Sequence, residues 1–354
     1  AAAEWYEAEF VPLCRLIEQR GLLAASPQRT AADFFLWLRA QRAAAQERLG
    51  WHLDETTVAA ALQRQEPRLD QLLDRLLPAA LEPSTHSGSW RRDRDVAADD
   101  WLFHTVLVPI SGDSADWRAL DQAVALAAAE SSVILGLHVA NDTQAARSPA
   151  ADAVCAEFSR RCAAAGVSAD CAVEHGTIGR ILRERTRWAD LMIVPLNHPP
   201  SASPLARLTS SLRTLIRGSA CPVLLLPPGT LTHARHILLG FDGSDRSREA
   251  LVLAGYLAAR WQRRLSVVAT ADEPAGAAQL LADAAQALER YGVQAALHAG
   301  RGDAADAILI RAETVGADLI LLGGYGGRGV LDLVLGSVTE ALLRTSRIPL
   351  LICQ

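Results

Sequence analysis

From Leu102 onward the sequence says the same thing twice, and that repetition limits the folds open to it more than any other feature. "TVLVPIS" is answered by "HILLGFD", "SVILGLHVA" by "LSVVATAD", "WADLMIVPL" by "GADLILLGG" and "ACPVLLL" by "RIPLLIC". Between these apolar runs lie helical patterns. "ADWRALDQAVALAAAES" pairs with "SREALVLAGYLAARW", and "ADAVCAEFSRRCAAAG" with "LADAAQALERYG". Strands that are apolar throughout and alternate with helices specify a parallel sheet covered on both faces. Repetition of the whole pattern specifies two homologous α/β units. Each unit ends in an apolar strand beside a proline, so each has a sheet edge to hide. Joining the two edges about a two-fold axis hides both and makes the pair an internal pseudo-dimer.

The chain before the repeat reads differently. "WYEAEFVPLCRLIEQRGLL" puts Phe10, Leu13, Cys14, Ile17 and Leu22 on one helical stripe. "RTAADFFLWLRAQRAAAQERLG" predicts a second helix with Thr30 as its cap and Gly50 as its stop. Asp54 is placed to cap a third, and "LDQLLDRLLPAAL" closes the set. Trp5, Trp37 and Trp51 read as core residues of a small bundle or as anchors for a partner protein. The polar stretch "EPSTHSGSWRRDRDVAADD" is a linker. The expected organisation is therefore a helical domain at 1–81, a linker at 82–100, and α/β units at 101–229 and 230–354.

The 354 residues are 50% hydrophobic and 21% charged, with a net charge of -5. That balance gives no general case for nucleic acid or an anionic membrane as partner. No lysine occurs in the chain, which excludes a Walker loop, a Schiff base and a kinase-type phosphate lysine. Six cysteines are scattered without a C-x-x-C pair. They read as reduced, mostly buried thiols in a cytoplasmic protein, with Cys155 and Cys162 able to share a helix face. No His/Cys/Asp cluster has metal-site spacing, and Ser244 and Ser247 are followed by no evident His/Asp set for nucleophilic hydrolysis.

The densest chemistry lies in "GGYGGRGVLDLVLGS", residues 323–337. In an open parallel sheet, ligands sit beyond the carboxyl ends of the strands. Strand four of the second unit ends at Leu322 and Gly323, and strand one ends at Asp242. Gly323 and Gly326 are expected to let backbone N–H groups face an anion. Ser337 sits at a helix start, where the helix field favours phosphate. Asp242 suits ribose hydroxyls or a magnesium ion, or serves as a cap for the following helix.

The spacing Gly323, Gly326, nine residues, then Gly336 and Ser337 resembles the G-x-x-G, nine residues, G-[ST] motif of the ATP-binding universal stress proteins. The resemblance covers about 102–354 and implies two tandem units of the adenine-nucleotide α-hydrolase-like fold. It implies ATP or AMP as ligand, with Mg2+ as an optional companion. It implies ribose at Asp242, base at Val267 or Val268, and backbone contacts around Leu322 and Val338. Arg328 is a candidate to reach the phosphates. Gly302, Asp303, Ala304 and Ile308 are similar to a further family stretch, with alanine in place of its proline. The helical opening is similar to a region that accompanies ParB-like or stress-protein modules, which assigns it no residue-level function.

The first unit lacks these features. Ser111 stands for Asp242, Pro195 for Gly323, His198 for Gly326, and Thr209-Ser210 for Gly336-Ser337. Prolines remove N–H donors, so nucleotide is expected in the second unit only. The reading is an adenine-nucleotide-binding stress-response regulator with at most slow ATP hydrolysis, since no base is evident. The alternative is an interaction scaffold without nucleotide. A ligase- or sulfurylase-like enzyme has only the faint "GFDGSDRSRE" in its favour.

Overall fold

The computed structural model describes residues 10–19, 31–58, 61, 102–196, 212, 215, 216, 218–271, 273–324 and 337–353. Ten strands form one sheet in the order β3-β2-β1-β4-β5-β10-β9-β6-β7-β8. The first unit supplies β1 (Thr105–Pro109), β2 (Val133–Ala140), β3 (Ala169–His175), β4 (Leu191–Pro195) and β5 (Val223–Leu226). The second supplies β6 (His236–Gly240), β7 (Arg264–Thr270), β8 (Ala296–Gly300), β9 (Leu319–Gly323) and β10 (Leu350–Cys353). Every neighbouring pair within a unit is parallel. The one antiparallel pair joins the units: Leu350 faces Leu225, Leu351 faces Leu224 and Ile352 faces Val223. The exposed edge of each unit is thus closed by the other, as the apolar terminal strands require.

One apolar layer lies on each side of the sheet. Helices α3 (Ser114–Glu130) and α7 (Asp245–Arg260) cover the centre of one face. The W/G-A-D-L repeat has a shared structural reason. Asp190 accepts from the Thr105 amide at 2.9 Å, and Asp318 accepts from the His236 amide at 2.9 Å. Each aspartate pins the start of strand one in its unit.

Glu130, the last residue of α3, bridges to the end of α7 by its side chain, which is wholly buried. Its carboxylate accepts from Trp261 Nε1 at 2.7 Å, the Leu102 amide at 3.2 Å and the Tyr256 hydroxyl at 3.3 Å, with Arg260 at 3.9 Å. A buried charge is tolerated only with such partners.

The amino-terminal segment packs on the opposite face, against the first unit. Helices α1 (Val11–Gln19) and α2 (Ala31–Leu49) bury Leu13, Ile17, Phe35 and Leu38. Gly50 ends α2 at φ +67, the left-handed conformation glycine adopts freely. Trp51 is then laid over the sheet and donates Nε1–H to the Gly136 carbonyl at 3.0 Å. The fully buried Arg185 stacks on its ring at 4.1 Å and donates to Leu49 O at 2.6 Å. Asp54 caps the next turn through the Thr57 amide at 2.7 Å and pairs with His104 at 2.7 Å. Trp51 is thus a core residue shared with the first unit. The stretch "LDQLLDRLLPAAL", Trp5, Thr30 and the linker lie outside the described residues.

The expectation of reduced thiols fails at one place. Cys155 and Cys171 form a disulfide with Cα atoms 5.6 Å apart. Helix α5 (Pro149–Ala164) packs on β3, and that crossing brings together cysteines 16 residues apart, a spacing with no local motif. Cys162 points instead into the core, where burial raises its pKa to about 11. No helix among the described residues is long and apolar enough to cross a membrane.

Two predictions follow from these joints. Glu130→Ala leaves the Trp261, Tyr256 and Leu102 donors without their acceptor, and urea unfolding should show a loss of about 3 kcal/mol. Glu130→Gln, which keeps an acceptor oxygen, should lose less. The Asp54 hydrogen bond raises the His104 pKa against the effect of burial, and the Asp54 charge adds to it. The His104–Asp54 contribution is therefore complete below the ordinary histidine value and disappears as pH rises through the raised one. The melting-temperature gap between the native chain and His104→Gln should be widest at pH 6 and close as the solution turns alkaline. The stability difference behind that gap should be at most about 1 kcal/mol, because Asp54 is partly in solvent.

Candidate functional site

The strand order of the second unit reverses between β6 and β9, which opens a crevice beyond their carboxyl ends. The residues that face it come from three places. At the end of β6, Asp242 is exposed and accepts from the Ser244 amide at 2.9 Å and its hydroxyl at 2.6 Å. The partial loss of solvent around the carboxyl opposes ionisation, but the Ser244 hydrogen bonds, with a smaller part from Ser247, outweigh it and hold the Asp242 pKa below the usual carboxylate value. Asp242 is thus an anionic acceptor whose two Ser244 bonds both fall on one oxygen. The helix cap itself is Ser244, whose hydroxyl accepts from the Ser247 amide at 3.2 Å. Asp242 acts one step behind the cap, by fixing Ser244.

At the end of β9, the structure gives Gly323 a packing reason. A Cβ built there would stand 2.5 Å from the Ser247 amide nitrogen and 2.6 Å from the Arg246 carbonyl carbon. The first turn of α7 approaches β9 backbone to backbone, and only glycine permits it. The next residue, Gly324, donates to Cys353 O at 2.6 Å, which ties the strand end to β10. Leu322 is buried. The third element, α10 (Ser337–Thr345), directs its first amides toward the same end of the sheet, with Val338 half-buried in its first turn. Gly326, Arg328 and Gly336 lie outside the described residues.

Val267 and Val268 are both buried, on opposite faces of β7. The register pairs Gly240 with Val268, so the residue level with Asp242 is Thr270. Thr270 is half-buried at the strand end and was absent from the sequence-based candidates. Only the pairing register, which needs two strands at once, points to it. Asp303 caps α9 (Ala304–Val315) through the Ala305 and Asp306 amides. Ile308 packs under Gly240, where a Cβ would lie 2.9 Å from its Cδ1.

The corresponding end of the first unit holds a carboxylate that sequence alignment of the repeats did not suggest. Ser111 is bonded through its amide at 2.7 Å and its hydroxyl at 2.5 Å to Asp116, in the first turn of α3. Asp116 is only 2% exposed, and burial raises its pKa. It is consumed by the strand end rather than presented to a ligand. Pro195 ends β4 without an amide hydrogen, and Leu196 donates to Leu226 O at 2.7 Å, the counterpart of Gly324.

Gly323→Ala should cost about 1–3 kcal/mol by overpacking α7 against β9, read as a lower urea midpoint in the absence of any ligand.

Comparison with known proteins agrees with this architecture. The model of the universal stress protein family matches residues 102–227 and again 233–354, more than two thirds of the chain. Universal stress protein Slr1230 of Synechocystis sp. is 30% identical over 146 residues, 41% of this chain and 50% of that protein. The chain thus spans half the length of that relative. Universal stress protein YxiE of Bacillus subtilis is 30% identical over 144 residues, 33% of this chain and 97% of that protein. Among solved structures, a universal stress protein from Archaeoglobus fulgidus superposes with a TM-score of 0.53. It is 18% identical and covers 71% of this chain and 96% of its own, a likeness of fold alone. Two successive family matches on two sheet halves joined edge to edge establish that this chain belongs to the universal stress protein family.

Proposed function

We propose that the second unit binds one adenine nucleotide, ATP or AMP, and that the first unit binds none and serves as its structural partner. The observation that carries this reading is the uninterrupted sequence spacing of Gly323, Gly326, Gly336 and Ser337 from the end of β9 to the start of α10, in a unit whose neighbouring strand β6 ends at the exposed Asp242, held below the usual carboxylate pKa. Free amides at a helix start, glycine backbone and the helix field together favour phosphate. Asp242 would accept from ribose hydroxyls through the oxygen that Ser244 leaves free, or hold Mg2+ beside the phosphates. Thr270, Val268 and Leu322 would border the base. Arg328 would approach the phosphates, and the backbone at Val338 would complete the cradle.

Nucleotide would act here as a regulatory ligand of a stress-response protein. Asp242 is assigned here to ribose or Mg2+ and not to activating water, so hydrolysis would be slow for want of a base. The described part of the amino-terminal segment packs near the starts of the first unit's strands and belongs to the same apolar layer as Ile308 and Leu322 of the second unit.

Calorimetric titration of ATP into nucleotide-free protein tests the reading. One site per chain is expected, with binding lost in Gly326→Asp and Gly336→Asp. At a hundredfold excess over Kd, the native chain should gain about 2.7 kcal/mol of stability. Two sites would overturn the assignment of the first unit as a partner only. No site would favour a scaffold built from two nucleotide-free units.

A further inference from the structure

The join between the units leaves a space that neither unit has alone. Helix α3 lies over β4 and β1, and α7 over β9 and β6. Between β4 and β9 run the two joining strands, β5 and β10. The helices therefore stand over strands three steps apart, about 14 Å at ordinary strand spacing. Helices in direct contact stand only about 8–10 Å apart. The inter-unit chain at Thr232–Ala234 occupies part of the gap. Gln122 holds it there by donating to Thr232 O at 2.9 Å and accepting from the Thr232 amide at 2.8 Å.

A cavity of about 220 Å³ remains. Its walls are apolar: Phe103, Leu126, Leu191, Leu257 and Leu319, over a floor of Leu224 and Leu351. The side chains at its mouth are Ala125, Ala129, His233 and Arg263, all exposed. An apolar cavity of about 150 Å³ already admits benzene, so this one has room for a body of roughly eight carbons.

Arg263 is the formally charged side chain that lines the mouth, and it has no ion-pair partner among the described residues. The two carboxylates nearby are held by other donors. Glu130 is held by Trp261, Tyr256 and Leu102. Asp318 accepts from the His233 and His236 amides. An uncompensated guanidinium above an apolar hole suits a ligand with an apolar body and one anionic head.

We propose that the cavity between the two units binds a small amphipathic carboxylate, with its hydrocarbon body between α3 and α7 and its head at Arg263. This site lies on the joining strands and is independent of nucleotide binding. The probe is octanoate, titrated calorimetrically into the full chain, with octan-1-ol and octylammonium as neutral and cationic counterparts. One octanoate site per chain is expected, at least about tenfold tighter than octylammonium. Arg263→Gln should weaken octanoate about tenfold and leave octan-1-ol unchanged. Ala125→Phe, on an exposed turn of α3, should close the mouth and abolish binding of all three. Gly326→Asp should leave octanoate binding unaltered, which separates this site from the nucleotide site. Absence of octanoate binding, equal binding of octylammonium, or indifference to Arg263→Gln would overturn the proposal. Should Ala125→Phe fold poorly in a melting scan, the Arg263→Gln comparison decides alone.

Discussion

The antiparallel pairing of β5 with β10 is the interaction on which the rest of the molecule depends. Both strands are short, and every residue in each is buried. Neither could remain an edge, because an unpaired apolar strand invites association with other chains. Their union turns two five-stranded sheets into one sheet of ten. It also sets the distance between α3 and α7, and so creates both the enclosed Glu130 bridge and the cavity beside it. Covalent linkage keeps the two strands at a high effective concentration for each other.

Much of this was legible in the residues. The strand pattern is strong because parallel strands covered on both faces must be apolar throughout, as in "TVLVP" and "LILLG". Gly50 and Asp54 were readable as a helix stop and a cap, since both act within four residues of themselves. What escaped the sequence depends on distant chain. Gly323 looked like a phosphate glycine, yet its close neighbour is the backbone of Arg246 and Ser247. Thr270 was hidden because only the β6–β7 register sets it level with Asp242. Cys155 and Cys171 meet because a helix crosses a strand.

Gly323 and Asp242, both proposed site residues, also belong to the scaffold. The close approach permitted by Gly323 draws the start of α7 against the end of β9. The same helix start is fixed by Ser244, and Ser244 by Asp242. A change at either position would move the crevice walls before it touched any ligand. Ligand-free stability therefore has to be measured beside binding for every variant there.

The two units, alike in topology, are fastened unequally. The first has a disulfide between α5 and β3, the Trp51–Arg185 stack and the Asp54–His104 pair. In the second, the outer strand β8 is largely exposed along its length. Local opening in proteins proceeds by cooperative blocks, and the least secured block opens at the lowest free energy. Under native conditions the β7–β8 margin should exchange its amide hydrogens sooner than the β2–β3 margin. The chain would then behave as a rigid half carrying a more yielding one, an asymmetry of motion written onto a symmetric fold.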